Sequence, residues 1–123
     1  MKKPIRVVLL GDAEKSYKNL NSIVGQQKKK RKENTEEMQL LKSISQKIGF
    51  IKANPFYGDS IKKDLIPKEY IKNYNVSNLF RVELSQFWRM LYTVKGDQIE
   101  IVCFILDILN HPSYDKILGY KKR

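Results

Sequence analysis

The chain has 123 residues, 41% of them hydrophobic and 11% aromatic; this suffices for one core, leaves little room for a second domain and argues against disorder. Twenty-four Lys and Arg against thirteen Asp and Glu give a net charge of +11, a field that attracts nucleic acid, anionic lipid or an acidic protein and bears on association rather than fold. The single cysteine, Cys103, excludes an intramolecular disulfide, no Cys/His cluster is present to hold zinc, and no apolar run approaches a membrane span.

In chain order, Ile5 to Leu10 read as a short strand apolar on both faces, hence central or well covered. The segment "IRVVLLG" is too short for a signal-peptide core and is followed at once by Asp12, Glu14 and Lys15, so a cytoplasmic protein is expected. Gly11-Asp12 marks a turn and a helix start, after which Tyr17, Leu20, Ile23 and Val24 repeat at helical spacing. The run Lys28 to Lys32 in "QQKKKRKEN" is either the solvated end of that helix or a basic hairpin loop. A second helix is predicted from "NTEE", with Asn34 as cap and Glu37 reaching back from the third position. Met38, Leu41, Ile44 or Ser45, and Ile48 form its apolar stripe, and Asn54-Pro55 ends it. Two helices joined by a polar loop need a sheet to cover.

"FYGDS" is turn chemistry, and "IPKEYIKNY" reads as a short helix with Pro67 in its first turn and Asn75 near its end. Three strands follow, Leu79 to Leu84, Trp88 to Val94 and Ile99 to Leu106, the last two joined by a hairpin turn at "KGDQ". Phe80, Val82 and Leu84 share one face, and Arg81 and Glu83 the other; Trp88, Met90, Tyr92 and Val94 likewise stand opposite Arg89, Leu91 and Thr93. One apolar and one charged face is the pattern of an antiparallel sheet with helices packed on one side only. The expected fold class is therefore α+β: an N-terminal strand, a helical hairpin, then a three-stranded antiparallel meander, in a single domain spanning 1–123.

Arg89 is the anomaly in "QFWRMLYTV". Either its face is simply wet, or Arg89 pairs with Glu83 across the strands, or it meets an anion through its planar fork of donors. Cys103, within "IEIVCFIL", reads as a buried, inert thiol. His111, the sole histidine, follows the longest strand and is either a hydrogen-bonded cap on the turn before Pro112 or a proton-transfer group. Tyr114 and Tyr120 read first as packing residues of a C-terminal segment. No repeat, Gly-rich phosphate loop, nucleophile elbow, metal site or paired carboxylates stand out.

The segments "LIPKEYIKNYNVSNLFRVEL", "WRMLYTV" and "HPSYDKILGY" resemble the RelE/ParE superfamily of toxin–antitoxin toxins. Their match is to an archaeal-type subgroup that runs "PKxYIKxYxVxNLWRYxL", "WRLLYT" and "HxxYxxxFGY". It covers roughly the last 60 residues, while the front half agrees in its order of elements. The resemblance implies a ribosome-dependent mRNA endoribonuclease that works without metal or cofactor, and a cognate antitoxin as partner. It implies Arg89 at the scissile phosphate, Arg81 as a second cation, His111 in proton transfer and Tyr114 as a possible fourth catalytic residue. Lys52, Lys62, Lys63, Lys68 and Lys72 are candidate contacts to RNA backbone, and Lys28 to Lys32 a separate rRNA contact. Glu83 departs from relatives that carry a second cation there. The rival expectations are a ParE-like inhibitor of DNA gyrase and a non-catalytic member that binds RNA, ribosomes or an antitoxin.

Overall fold

The structure, a computed structural model, describes residues 3–119. Tyr120 and the basic residues after it lie outside the described residues. The elements are β1 (Ile5–Leu9), α1 (Gly11–Lys29), α2 (Glu36–Ala53), β2 (Asp59–Ser60), α3 (Lys68–Tyr74), β3 (Phe80–Glu83), β4 (Arg89–Gly96), β5 (Ile101–Leu109) and α4 (His111–Leu118). One five-stranded sheet runs in the order β1-β5-β4-β3-β2. β1 lies parallel to β5, and the other neighbours are antiparallel.

The α+β class agrees with expectation, and three features of the sheet differ. β1 is an edge strand rather than a central one, with Arg6 exposed on it; its apolar residues are covered from one side by the helical hairpin. β2, inside the expected turn, adds a fifth strand by pairing Asp59 with Arg81 and Ser60 with Phe80. Gly58 permits this pairing, because a Cβ there would stand 2.8 Å from the Arg81 carbonyl oxygen. Tyr92 holds the preceding turn: its hydroxyl donates to the Pro55 carbonyl at 2.8 Å and accepts from the Gly58 amide at 2.9 Å.

The third difference is the largest. The sheet is covered on both faces, not one. On the first face, Leu20 and Val24 of α1 and Leu40, Ile44 and Ile51 of α2 pack against Val82, Met90, Tyr92, Cys103, Ile105 and Ile108. On the second, Tyr70 of α3 and Tyr114 and Leu118 of α4 join Ile61, Ile66, Leu79, Leu91 and Leu106. Strict alternation predicts a charged second face, but Leu91 and Leu106 are fully buried there. A β-bulge contributes to this. Leu91 pairs with Asp107 and Tyr92 with Ile105, which leaves Leu106 as the extra residue of β5. Leu106 and Asp107 therefore both turn to the second face, while Ile105 and Ile108 stay on the first.

The cap of α2 is also shifted by one residue. Thr35, not Asn34, accepts the Met38 amide at 3.1 Å. Asn34 takes a left-handed backbone (φ 52°), and Glu37 accepts from Gln27 of α1 at 2.9 Å instead of closing a capping box. Asn54 ends α2 and Asn75 ends α3 as expected, the latter in the left-handed region. Lys28 and Lys29 form the last turn of α1, and the basic run continues through the turn beyond it.

Candidate functional site

Strand register assembles the site. Arg89 pairs with Glu83 on β3 and with Leu109 on β5, and Arg81 pairs with Asp59 on β2. Past Leu109 the chain enters α4, where Asn110 caps by accepting the Ser113 amide at 2.9 Å and Pro112 stands in the first turn. Gly119, at φ 73°, closes the helix in the left-handed region. These cues were legible in "NHPSYDKILG"; α4 itself was not anticipated.

α4 lays Tyr114 beneath both arginines. Tyr114 is 2% exposed. Arg81 donates from Nη1 to the Tyr114 hydroxyl at 3.3 Å, and the Arg89 guanidinium carbon lies 5.3 Å from the centre of the Tyr114 ring. One phenol thus fixes one guanidinium at its hydroxyl and the other at its π-face. The Tyr114 hydrogen bond is the foremost influence holding Arg81 in its charged form, opposed by partial burial.

Each arginine has one carboxylate neighbour. Arg81 Nη2 lies 3.3 Å from Asp59 and Arg89 Nη2 lies 3.7 Å from Glu83. The cations are sunk and the anions stand in solvent: the Arg81 and Arg89 side chains are 30% and 13% exposed, and both carboxylates are mostly open to water. Such pairs hold weakly, because water screens the carboxylate end. The Nε atoms of Arg81 and Arg89 are buried and have no hydrogen-bond acceptor among the described residues. Buried donors without acceptors are uncommon and costly. The arrangement can take up an anion at the Nη groups: two fixed cations balanced only by exposed, exchangeable carboxylates.

His111 opens α4 at the margin of this cluster. It is exposed, its Nε2 lies 3.4 Å from Asp115, and its ring centre lies 6.5 Å from that of Phe87. Arg89 donates from Nη1 to the Phe87 carbonyl at 2.6 Å. The expected residues Arg81, Arg89 and Tyr114 therefore meet directly, and His111 borders them through Phe87. Asp59 and Phe87 join them unanticipated. The signal for Asp59 was its place in a turn, and Phe87 carried no signal at all. Lys62, Lys63, Lys68 and Lys72 are exposed on the segment whose Ile61, Ile66 and Tyr70 cover the arginine face. Lys52 is exposed in the last turn of α2, in the opposite layer. Cys103 is buried in the first core, and burial pushes its thiol up to about 11, as expected of an inert cysteine.

Two other features lie apart. A groove of about 280 Å³ between α1, α2 and the β3–β4 turn is lined by Leu20, Ile23, Leu40, Trp88, Glu36 and Glu37, on the first face. Asp107, buried on β5, accepts a hydrogen bond from the Tyr70 hydroxyl. Burial raises the Asp107 carboxyl above the usual range, with the Tyr70 bond opposing, and raises Tyr70 well above the tyrosine range. Among the described residues, no helix is long and apolar enough to cross a membrane, and no group of three or more His, Cys, Asp or Glu side chains is placed to hold a metal ion.

No family model matches the chain, and no curated protein matches it. Among solved structures it is similar to a YoeB/ParE toxin from Agrobacterium tumefaciens, with a TM-score of 0.56 and 14% identity over 86% of this chain and 98% of that one. The likeness is one of fold: this chain shares the architecture of that toxin structure.

Proposed function

We propose that this protein is the toxin of a type II toxin–antitoxin system, a single-domain, cytoplasmic endoribonuclease that binds the ribosome and cleaves mRNA without a metal. The observation that carries the proposal is the arginine pair held on Tyr114, with only solvent-exposed carboxylates opposite its Nη groups. Fold likeness to a YoeB/ParE toxin and the net charge of +11 support it.

In the proposed reaction a ribose 2′-hydroxyl attacks the adjacent phosphorus. The O2′–P bond forms as the P–O5′ bond breaks, and the proton lost at O2′ is matched by one gained at the 5′-oxygen. The products are a 2′,3′-cyclic phosphate, or the 3′-phosphate after its hydrolysis, and a 5′-hydroxyl. Arg89 and Arg81 meet the phosphate oxygens, where fixed donors stabilise the charge that accumulates on the phosphorane. Rigid support by Tyr114 matters because donors held in place need not reorganise. Tyr114 is proposed as a positioning residue, since its hydroxyl is already engaged by Arg81. His111, exposed at the rim, is the proton-transfer group. Lys62, Lys63, Lys68 and Lys72 extend the positive surface along the same face, and Lys52 and the run from Lys28 to Lys32 serve more distant RNA contacts. A cognate antitoxin with an acidic balance would complement the surface.

Primer extension on programmed ribosomes, with EDTA present, tests the proposal. Cuts confined to the A-site codon are expected from the wild type, reduced about 10²–10³-fold by Arg89→Ala and also reduced by His111→Ala. A second reading is favoured by Asp59 and Glu83, which set an anion beside each arginine: a binding-only member that cuts nothing. Ribosome binding without new cuts would select it. Absence of both would direct attention to DNA supercoiling, the assay for a gyrase inhibitor.

A further inference from the structure

The turn between β3 and β4 is built against the preferences of its own residues. Gln86 (φ 51°, ψ 38°) and Phe87 (φ 62°) are consecutive residues in the left-handed region. A hairpin turn with two such residues favours Asn-Gly, and a bulky residue there is an outlier. The turn is nonetheless held firmly. Leu84 N–H donates to the Trp88 carbonyl at 2.8 Å and Trp88 N–H to the Ser85 carbonyl at 3.2 Å. Ser85 N–H donates to Ser43 Oγ at 3.2 Å, and Gln86 Nε2 to Gln39 Oε1 at 2.8 Å, which ties the turn to α2.

Phe87 does no work in the core for this strain. Its side chain belongs to neither apolar cluster and is 74% exposed. Its position is specific all the same. Its carbonyl accepts from Arg89 Nη1, and its ring stands 6.5 Å from the ring of His111 at an interplanar angle of 52°. An aromatic face open to water, next to a fixed cation and in a strained turn, is the arrangement of a ligand contact rather than of a structural residue.

We infer that Phe87 is a stacking platform for a nucleobase of single-stranded RNA, the base of a nucleotide whose phosphate is held at Arg89. This rests on the ribonuclease reading of the same site. Base–aromatic stacking is tolerant of sequence because every base has a π-face, so Phe87 contributes affinity and orientation rather than base choice. The left-handed backbone at Phe87 sets the ring beside His111, on the rim of the arginine cluster.

The test uses the full chain and a fluorescent single-stranded RNA oligomer whose riboses are 2′-O-methylated, so that it binds without being cut. Binding is measured by anisotropy at low salt for wild type, Phe87→Gly, Phe87→Leu, Phe87→Trp and Arg89→Ala, with an abasic oligomer as the comparison probe. Phe87→Gly is expected to weaken binding about five- to a hundredfold while raising the melting temperature, because glycine accepts the left-handed backbone. Phe87→Leu should weaken binding similarly and Phe87→Trp should preserve it. The abasic oligomer should respond to Arg89→Ala and not to Phe87 variants. Unchanged affinity in both Phe87→Gly and Phe87→Leu, with Arg89→Ala weakened, would overturn the stacking role and leave the RNA reading intact. If Phe87→Gly does not fold, Phe87→Leu decides alone. Wild-type binding insensitive to Arg89→Ala, or no binding of either oligomer, would overturn the stacking role, which requires a phosphate held at Arg89; the ribonuclease reading is decided separately by primer extension on programmed ribosomes.

Discussion

On the α1–α2 face the sheet meets Leu20, Val24, Leu40, Ile44 and Ile51, whereas the α3–α4 face interleaves Leu79, Leu91 and Leu106 with Tyr70 on Asp107 and two arginines on Tyr114. The first face is stabilised by area removed from water and by close packing, which are non-directional. The second depends on partners at defined angles, where removal of one leaves another unsatisfied. The difference separates two tasks within one small sheet. One face is apolar throughout, and the other sets partly buried cations, with Nε donors lacking an acceptor among the described residues, beside its own apolar cluster.

That comparison can be broken from either side, and the largest expected effect lies on the first face. Ile44→Ala, at a fully buried position of α2, should destabilise the protein by about 2–5 kcal/mol. Activity per folded molecule should be unchanged, as measured by urea unfolding alongside the cleavage assay. On the second face, Tyr114→Phe keeps the ring under Arg89 and removes the acceptor of Arg81 Nη1. A lost hydrogen bond to a charged group corresponds to ~1.5–3 kcal/mol; the loss should fall more on the cleavage rate than on stability, and Tyr114→Leu should lose more rate than Tyr114→Phe. Equal rates in the two variants would remove the ring from the site.

Asp107→Asn addresses the buried acid. Because the folded-state pKa of Asp107 is raised, the native state binds more protons than the unfolded chain above about pH 4, the ordinary aspartate value. Stability contributed by the protonated form is full below that pH and is lost as pH rises through the folded pKa. The difference in melting temperature, variant minus wild type, should therefore grow as pH rises above about 4; a flat difference would refute the linkage. The smallest effect is expected from Glu83→Gln, which removes the exposed carboxylate beside Arg89. Affinity for single-stranded RNA should rise about fivefold at low salt, the scale of one charge pair in water, and the gain should fade at high salt.

Most of the first face was legible in the sequence, because Leu20, Val24, Ile44 and Ile48 repeat at helical spacing and Val82, Met90 and Tyr92 at strand spacing. Arg81 and Arg89 were legible too, as cations interrupting those strands. The second face was not, for three physical reasons. β2 has two residues, too few to show a period. The bulge at Leu106 breaks the alternation that a period-two reading assumes. Phe87 sits in a backbone conformation that its own chemistry disfavours, so local preference points away from it. The cap of α2 failed differently: Asn34 and Thr35 are both capable, and Thr35 also donates to Gln27 of α1, a tertiary contact at 2.6 Å.

The register of β5 beyond its bulge also sets where the chain will accept insertions and deletions. Between Lys30 and Asn34 the hairpin turn crosses open surface, and an added residue would lengthen a loop at little thermodynamic cost. Between Asp107 and Tyr114 the residue count works as a ruler. Deleting Ile108 would set Leu109 opposite Met90, on the apolar face, and bring α4 in one residue early, turning Tyr114 out from under both guanidinia. The chain's length is thus negotiable at one end of the molecule and fixed, to the single residue, at the other.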